Sequence, residues 1–274
     1  MTTPPEAGYS PAEATHCFST ARALSNRPSP ASRPTRRSPS EQPQRNKSLM
    51  RRVEVTALLP DGALRHSQHI APATAAFEGA FSAFARGTMI QTTKGPCAIE
   101  DLSPGDMLEV VNEKPQPVVW IGSMSLVPTA PVEQPELTRL TRIMADTLGL
   151  SRPMHDLVLG PGARLLRKPS ASHDLATQPQ LLTPARAIAD GLSIFEITPP
   201  TPVKVYHLCL PHHAIISAGG IEVESYHPGR SLLRDMGSNM RALFLSLFPH
   251  VSQPDDFGPL ACPRADQVSL EHLM

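Results

Sequence analysis

Three stretches decide the fold: Phe84-Ala85-Arg86-Gly87-Thr88-Met89-Ile90, then Ile99-Glu100-Asp101-Leu102-Ser103-Pro104-Gly105-Asp106, then Pro117-Val118-Val119-Trp120-Ile121-Gly122. Thr88 to Thr93 is a short β-rich run closed by Lys94-Gly95-Pro96, and Pro104-Gly105-Asp106 turns the chain into Met107 to Val111. Lys114-Pro115-Gln116-Pro117 then breaks the chain before Val118 to Ile121. Short strands punctuated by Pro and Gly at intervals of roughly ten residues predict an all-β core.

Working outward, Val53 to Leu58 alternates apolar and polar residues, Pro60-Asp61-Gly62 supplies a turn, and Leu64 to Ile70 returns, which predicts a hairpin. Phe77, Phe81 and Phe84 stand three or four residues apart and predict one face of a short helix over 75–85, weakened by Gly79. Downstream, Met144 to Gly149 reads as one helical turn. Thr183 to Gly191 reads as a short helix with Thr183 as cap and Pro184 at its first position. Leu192 to Ile197 and Val203 to Leu210 resume strand alternation. Ala214 to Ser217 and Ile221 to Ser225 form a hairpin across Gly219-Gly220. Leu232 to Phe248 carries apolar residues at helical spacing up to Pro249, and Asp255 to Met274 reads as a loop and frayed tail.

The chain has 274 residues, with 25 Lys and Arg against 25 Asp and Glu. That balance gives no electrostatic reason to expect nucleic acid or an anionic membrane as partner. No apolar run approaches the roughly 18 residues of a membrane span and no signal peptide is legible, so a cytoplasmic protein is expected. Cys17, Cys97, Cys209 and Cys262 are scattered without a CxxC pair and read as reduced thiols. Residues 1–50 are rich in Pro and Ser. Up to Arg52 the chain has nine basic and three acidic residues. This segment is expected to be a disordered basic tail, and Met50 is a candidate start codon because patterned sequence begins after it. The expected organisation is therefore tail 1–50, lead-in 51–80, central domain 81–229, and C-terminal helix and tail 230–274.

The three opening stretches resemble the start of bacterial Hint domains, the Hedgehog/intein autoprocessing fold. The resemblance continues through Leu137 to Ile143, His155 to Leu166, Leu182 to Arg186, Val205 to Leu210 and Glu222 to Gly229. Ordered blocks thus cover residues 81–229 and imply an all-β, horseshoe-like Hint fold with short helical inserts. The resemblance also implies self-cleavage: a Cys at the first position attacks the carbonyl of the preceding residue to form a thioester, assisted by a His on a later strand. The family pattern C-F-A-x-G-T puts Ala83 at the nucleophile position. S-P-x-H-R, aligned on Gly160-Pro161-Gly162-Ala163-Arg164, puts Ala163 at the assisting position.

Alanine offers neither a nucleophilic atom nor a titratable proton. Ser82 precedes the expected nucleophile and is expected to aim away from the site, because adjacent side chains of an extended segment face opposite ways. Thr88 and Cys97 lie further into the fold, away from any junction. His207, His212, His213 and His227 cluster in sequence, with Glu222 and Glu224 nearby. Strand alternation sends His212 and His213 apart, however, which argues against a metal; His213 and His207 read instead as hydrogen-bonded remnants of the family's polar positions. His66 and His69 lie on the hairpin and are weaker still. No G-x-S-x-G, G-x-x-x-x-G-K-[ST] or H-E-x-x-H pattern points to another enzyme. No cofactor or metal is expected. The expectation is a catalytically degenerate Hint protein, leaning away from an enzyme, that acts as a binding or scaffold module toward a protein partner. The alternative is residual self-cleavage by an N–O acyl shift near Phe81–Phe84, assisted by Ser82, Thr88 or His213.

Overall fold

The computed structural model describes residues 49–128, 135–167, 180–229 and 231–265, all within the unit Lys47–Met274. The chain opens with β1 (Met50–Leu58), β2 (Leu64–Pro72), helix α1 (Ala75–Glu78), β3 (Phe84–Ala85), β4 (Met89–Thr92) and β5 (Gly95–Ala98). Next come β6 (Met107–Leu108), β7 (Gln116–Pro117), β8 (Trp120–Leu126), β9 (Leu140–Ile143), β10 (Leu157–Leu159) and β11 (Arg164–Arg167). The last elements are β12 (Leu181–Pro184), β13 (Ile194–Ile197), β14 (Val203–Cys209), β15 (Ile215–Ala218), β16 (Ile221–Glu224), α2 (Leu232–Asp235) and α3 (Ser238–Leu245). The fold is all-β, as expected.

One sheet runs β13-β9-β10-β3-β14-β8-β1-β2; the other runs β12-β11-β16-β15-β4-β6-β7, with β5 paired to β4. The early hairpin is integral to the first sheet, since β1 pairs antiparallel with β8 from Val53↔Met124 to Ala57↔Trp120. Gly219 and Gly220 join β15 to β16 at φ +58° and +84°, values that side chains rarely adopt, as the sequence predicts for this hairpin.

Strand alternation feeds two buried clusters. On β8, Ile121 joins a cluster with Ala83, Phe84, Leu159, Ala163 and Ile216. Trp120, Met124 and Leu126 face a second cluster with Val53, Phe77, Phe81 and Phe248. The two α-helices near the C-terminus seal the second cluster. Trp120 stacks on Phe248 at 4.7 Å and donates its indole N–H to Leu247 O at 2.8 Å, which satisfies its one polar atom in the core.

Several expected helices differ. The helix over 75–85 is only α1, because Phe84–Ala85 is recruited as a strand between β10 and β14; Phe77 and Phe81 serve the second cluster while Phe84 serves the first. Thr183–Gly191 is not a capped helix. Thr183 pairs with Leu165 in the sheet, leaving a 3-10 turn at Ala185–Ile188, so tertiary pairing overrides the local signals. Met144–Gly149 is a turn, with Asp146 at φ +60°. The helical run 232–248 breaks at Met236-Gly237, where the backbone is extended. The expected C-terminal frayed tail is docked up to Ala265: Phe257 is buried, and Leu182 exchanges backbone hydrogen bonds with Pro263 and Ala265. The expected tail 1–50 lies outside the described residues except for Leu49 and Met50, the latter opening β1.

Candidate functional site

β3 places the Ser82–Ala83 peptide at the meeting of three segments. Ala83 N–H donates to Tyr206 O at 2.9 Å on β14, and Ala83 O accepts from Gly160 N–H at 2.8 Å. Ser82 O, the carbonyl that a nucleophile at position 83 would attack, accepts from Gly162 N–H at 2.9 Å. A backbone donor on a scissile carbonyl is the geometry that stabilises a developing oxyanion. The turn Gly160–Ala163 thus holds a backbone donor against the Ser82 carbonyl. Ala83 and Ala163, the positions to which the resemblance assigns thiol and imidazole, both lie in the first buried cluster at 1% and 2% exposure.

The turn is pressed close onto the junction. A Cβ at Gly160 would stand 2.0 Å from Ser82 O, and one at Gly162 would stand 2.6 Å from Gly79 O. Glycine is needed here for close backbone approach. Ser82 corrects an expectation: it does not aim away. Its hydroxyl is buried on the side of Gly162, 3.1 Å from where that residue's Cβ would be, and has no hydrogen-bond partner among the described residues.

His207 is fully buried between the rings of Phe84 (5.6 Å) and Tyr226 (5.1 Å), and its Nδ1 accepts from Leu208 N–H at 3.1 Å. Burial lowers its pKa to about 3, so the ring is neutral at neutral pH and packs as a core aromatic. His213 and His212 point apart, the first buried and the second exposed. His213 Nε2 lies 3.2 Å from Glu224 Oε2, and its Nδ1 accepts from Ala261 N–H at 2.9 Å. Glu224 also meets Arg164 at 3.1 Å and Arg264 at 3.0 Å. Burial opposes ionisation of Glu224, but the hydrogen bond from His213 and the two guanidinium groups prevail and hold its pKa at about 2. His213 is thus linked through Glu224 to Arg164, the chain neighbour of Ala163.

Thr88 is buried beside a different feature, a cavity of about 510 Å³ whose lining includes Met89, Met154, Leu157 and Gly220 but neither Ala83 nor Ala163. Cys97, Cys209 and Cys262 are free, and burial pushes each thiol up, the opposite of an activated thiolate. Cys17 lies outside the described residues. Among the described residues, no three His, Cys, Asp or Glu side chains converge as metal ligands. None of the helices among them is long and apolar enough to cross a membrane.

The segments of Ser82–Ala83 and Gly160–Ala163 meet through backbone hydrogen bonds, whereas the ionic cluster around Glu224 has no counterpart in the sequence expectations. Glu224 alternates with buried Val223 on β16 and so reads as outward-facing, yet it is buried. Arg264 sits in what reads as a frayed tail. A lone Arg beyond the last patterned segment carries no signal until that segment is seen to dock.

The Hint domain family profile matches residues 82–230. Among solved structures, the chain is similar to a bacterial intein-like domain from Clostridium thermocellum (14% identity, TM-score 0.33). It is also similar to a splice-inactive AceL NrdHF class 3 split intein (11%, 0.32) and to a DnaB intein from Synechocystis sp. PCC 6803 (15%, 0.30). Each match covers 53% of this chain and 99% of the other. No curated protein matches the chain.

Proposed function

The chain belongs to the Hint domain family, and from that premise we propose that it is a member with a disarmed self-processing centre, retained as a binding or scaffold module. One observation carries the proposal: the Ser82–Ala83 peptide is hydrogen-bonded at its carbonyl and its amide, yet the side chains in the two reactive positions are methyl groups. Self-cleavage needs a nucleophile and a proton donor as well as oxyanion stabilisation, and only the last has a structural counterpart. The cavity beside Thr88 supports the binding half of the proposal. Its lining mixes apolar Met89, Met154 and Leu157 with polar Ser151, His155 and Ser217, a mixture suited to accepting a ligand.

The test is restoration. In Ala83→Cys/Ala163→His, the introduced thiol attacks Ser82 C, the Ser82–Ala83 C–N bond breaks, the released amine takes a proton, and a thioester remains. Hydroxylamine should then give fragments 1–82 and 83–274 from the double variant and none from the parent. Failure of a folded double variant to cleave would mean that more than these two groups has been lost. A fragment from the parent ending at Phe81 would instead support an N–O acyl shift by Ser82.

A further inference from the structure

We propose that the chain forms a two-fold dimer by antiparallel pairing of β2 with β2 of a second copy, joining the two first sheets into one. β2 ends its sheet, and among the described residues no strand pairs with its outer side. It is long, at 9 residues, whereas β13, β12 and β7 at the other sheet ends have 4, 4 and 2. Proteins usually blunt an exposed edge by shortening it, charging it with Lys, kinking it with Pro or bulging it. β2 carries no Lys, keeps an unbroken register with β1, and has its only Pro at its last residue.

The register of the hairpin shows which groups are free. Leu59 N–H donates to Ala63 O and Ala73 N–H to Leu49 O, so the odd-numbered residues of the returning strand turn their backbone groups toward β1. The even-numbered ones, Leu64, His66, Gln68 and Ile70, therefore turn their N–H and C=O groups outward.

The side chains choose one self-pairing among those possible. With the two-fold axis at Ser67, Leu64 stands opposite Ile70 of the second copy, His66 opposite Gln68 and Arg65 opposite His69. The pairs Leu64–Ile70 and His66–Gln68 are then hydrogen-bonded pairs made of outward-facing groups. Leu64 and Ile70 are the two exposed large apolar residues of the strand, at 57% and 64% exposure, and this register covers each with the other, twice. A shift of two residues on the partner preserves the hydrogen bonds but leaves one of each pair against a polar side chain. Because the strand is near-palindromic in apolar character about Ser67, a second copy fits it, and the interface closes on itself without propagating into a filament.

Sedimentation of the full chain tests this. The expected mass is twice that of the 29.6 kDa chain. Gln68→Pro removes an outward N–H without touching the bonds to β1, and should sediment as the monomer with an unchanged far-UV spectrum. Independently, Ser67→Cys lies on the axis in a non-hydrogen-bonded pair, where Cα atoms are about 4.5 Å apart. It should form a reducible covalent dimer on mild oxidation, whereas His66→Cys should not. A monomer at all concentrations would overturn the proposal. So would a dimer that survives Gln68→Pro and is not cross-linked by Ser67→Cys.

Discussion

Gly162 donates its backbone N–H to Ser82 O at 2.9 Å, and that contact exists because neither Gly160 nor Gly162 has a side chain to hold the turn off the strand. The pressed turn leaves Ala83 and Ala163 buried and brings the backbone of Gly160 and Gly162 close onto the Ser82–Ala83 peptide.

The first consequence concerns Gly160. Gly160→Ala sets a Cβ 2.0 Å from Ser82 O, so the turn must withdraw and the Gly160–Ala83 hydrogen bond must stretch. Overpacking of this kind costs about 1–3 kcal/mol. Urea titration should show a lower midpoint with unchanged slope, while Gly237→Ala, with no atom within 4 Å of its Cβ position, should stay close to the parent.

Acid should weaken the fold in two stages. His207 and His227 have pKa values lowered by burial, to about 3 and about 4, against an ordinary 6.5. The unfolded chain therefore binds protons first, and stability that is full above pH 6.5 falls as pH drops toward 4, by about 1.4 kcal/mol per pH unit for each proton taken up. Glu224, lowered to about 2 against 4.5, adds a second loss that begins below pH 4.5. His207→Phe, between two aromatic rings, should flatten the upper stage in a series of denaturation curves across pH. Equal slopes in parent and variant would refute the assignment.

Glu224 holds the C-terminal segment in place. Glu224→Ala leaves Arg164 and Arg264 facing each other without their counter-ion, and truncating one member of a buried ion pair costs about 3–5 kcal/mol. Arg264→Ala spares the Glu224–Arg164 and Glu224–His213 contacts but frees the strap. Limited proteolysis should then cut within 258–265 well before the core is lost.

Phe248 is the keystone of the second cluster, touching Trp120, Tyr226, Phe244 and Phe257. Phe248→Ala should cost about 3–5 kcal/mol. Trp120 is the only tryptophan in the chain, so its emission should shift to the red in the folded variant.

The sequence makes the β-core legible where its signals are local and repeated. Pro104-Gly105, Gly219-Gly220 and the alternation of Val53 to Leu58 each favour one backbone outcome, and the ordered blocks mark the family over the span that the Hint profile matches. It hides whatever is decided by tertiary pairing. Phe84 and Thr183 carry helix-compatible spacing or caps, yet both are taken into sheets by distant strands. The inward turn of Glu224 and the docking of Arg264 depend on each other, and neither has a local cause that could be read in advance.

On the proposed reading, the Ser82–Ala83 bond endures because the methyl groups of Ala83 and Ala163 can neither attack nor protonate it. Intact-mass spectrometry of the purified parent chain after prolonged incubation with hydroxylamine or dithiothreitol tests this most directly. A single uncleaved species of 29.6 kDa is expected. A pair of fragments meeting at Ser82 and Ala83 would contradict it.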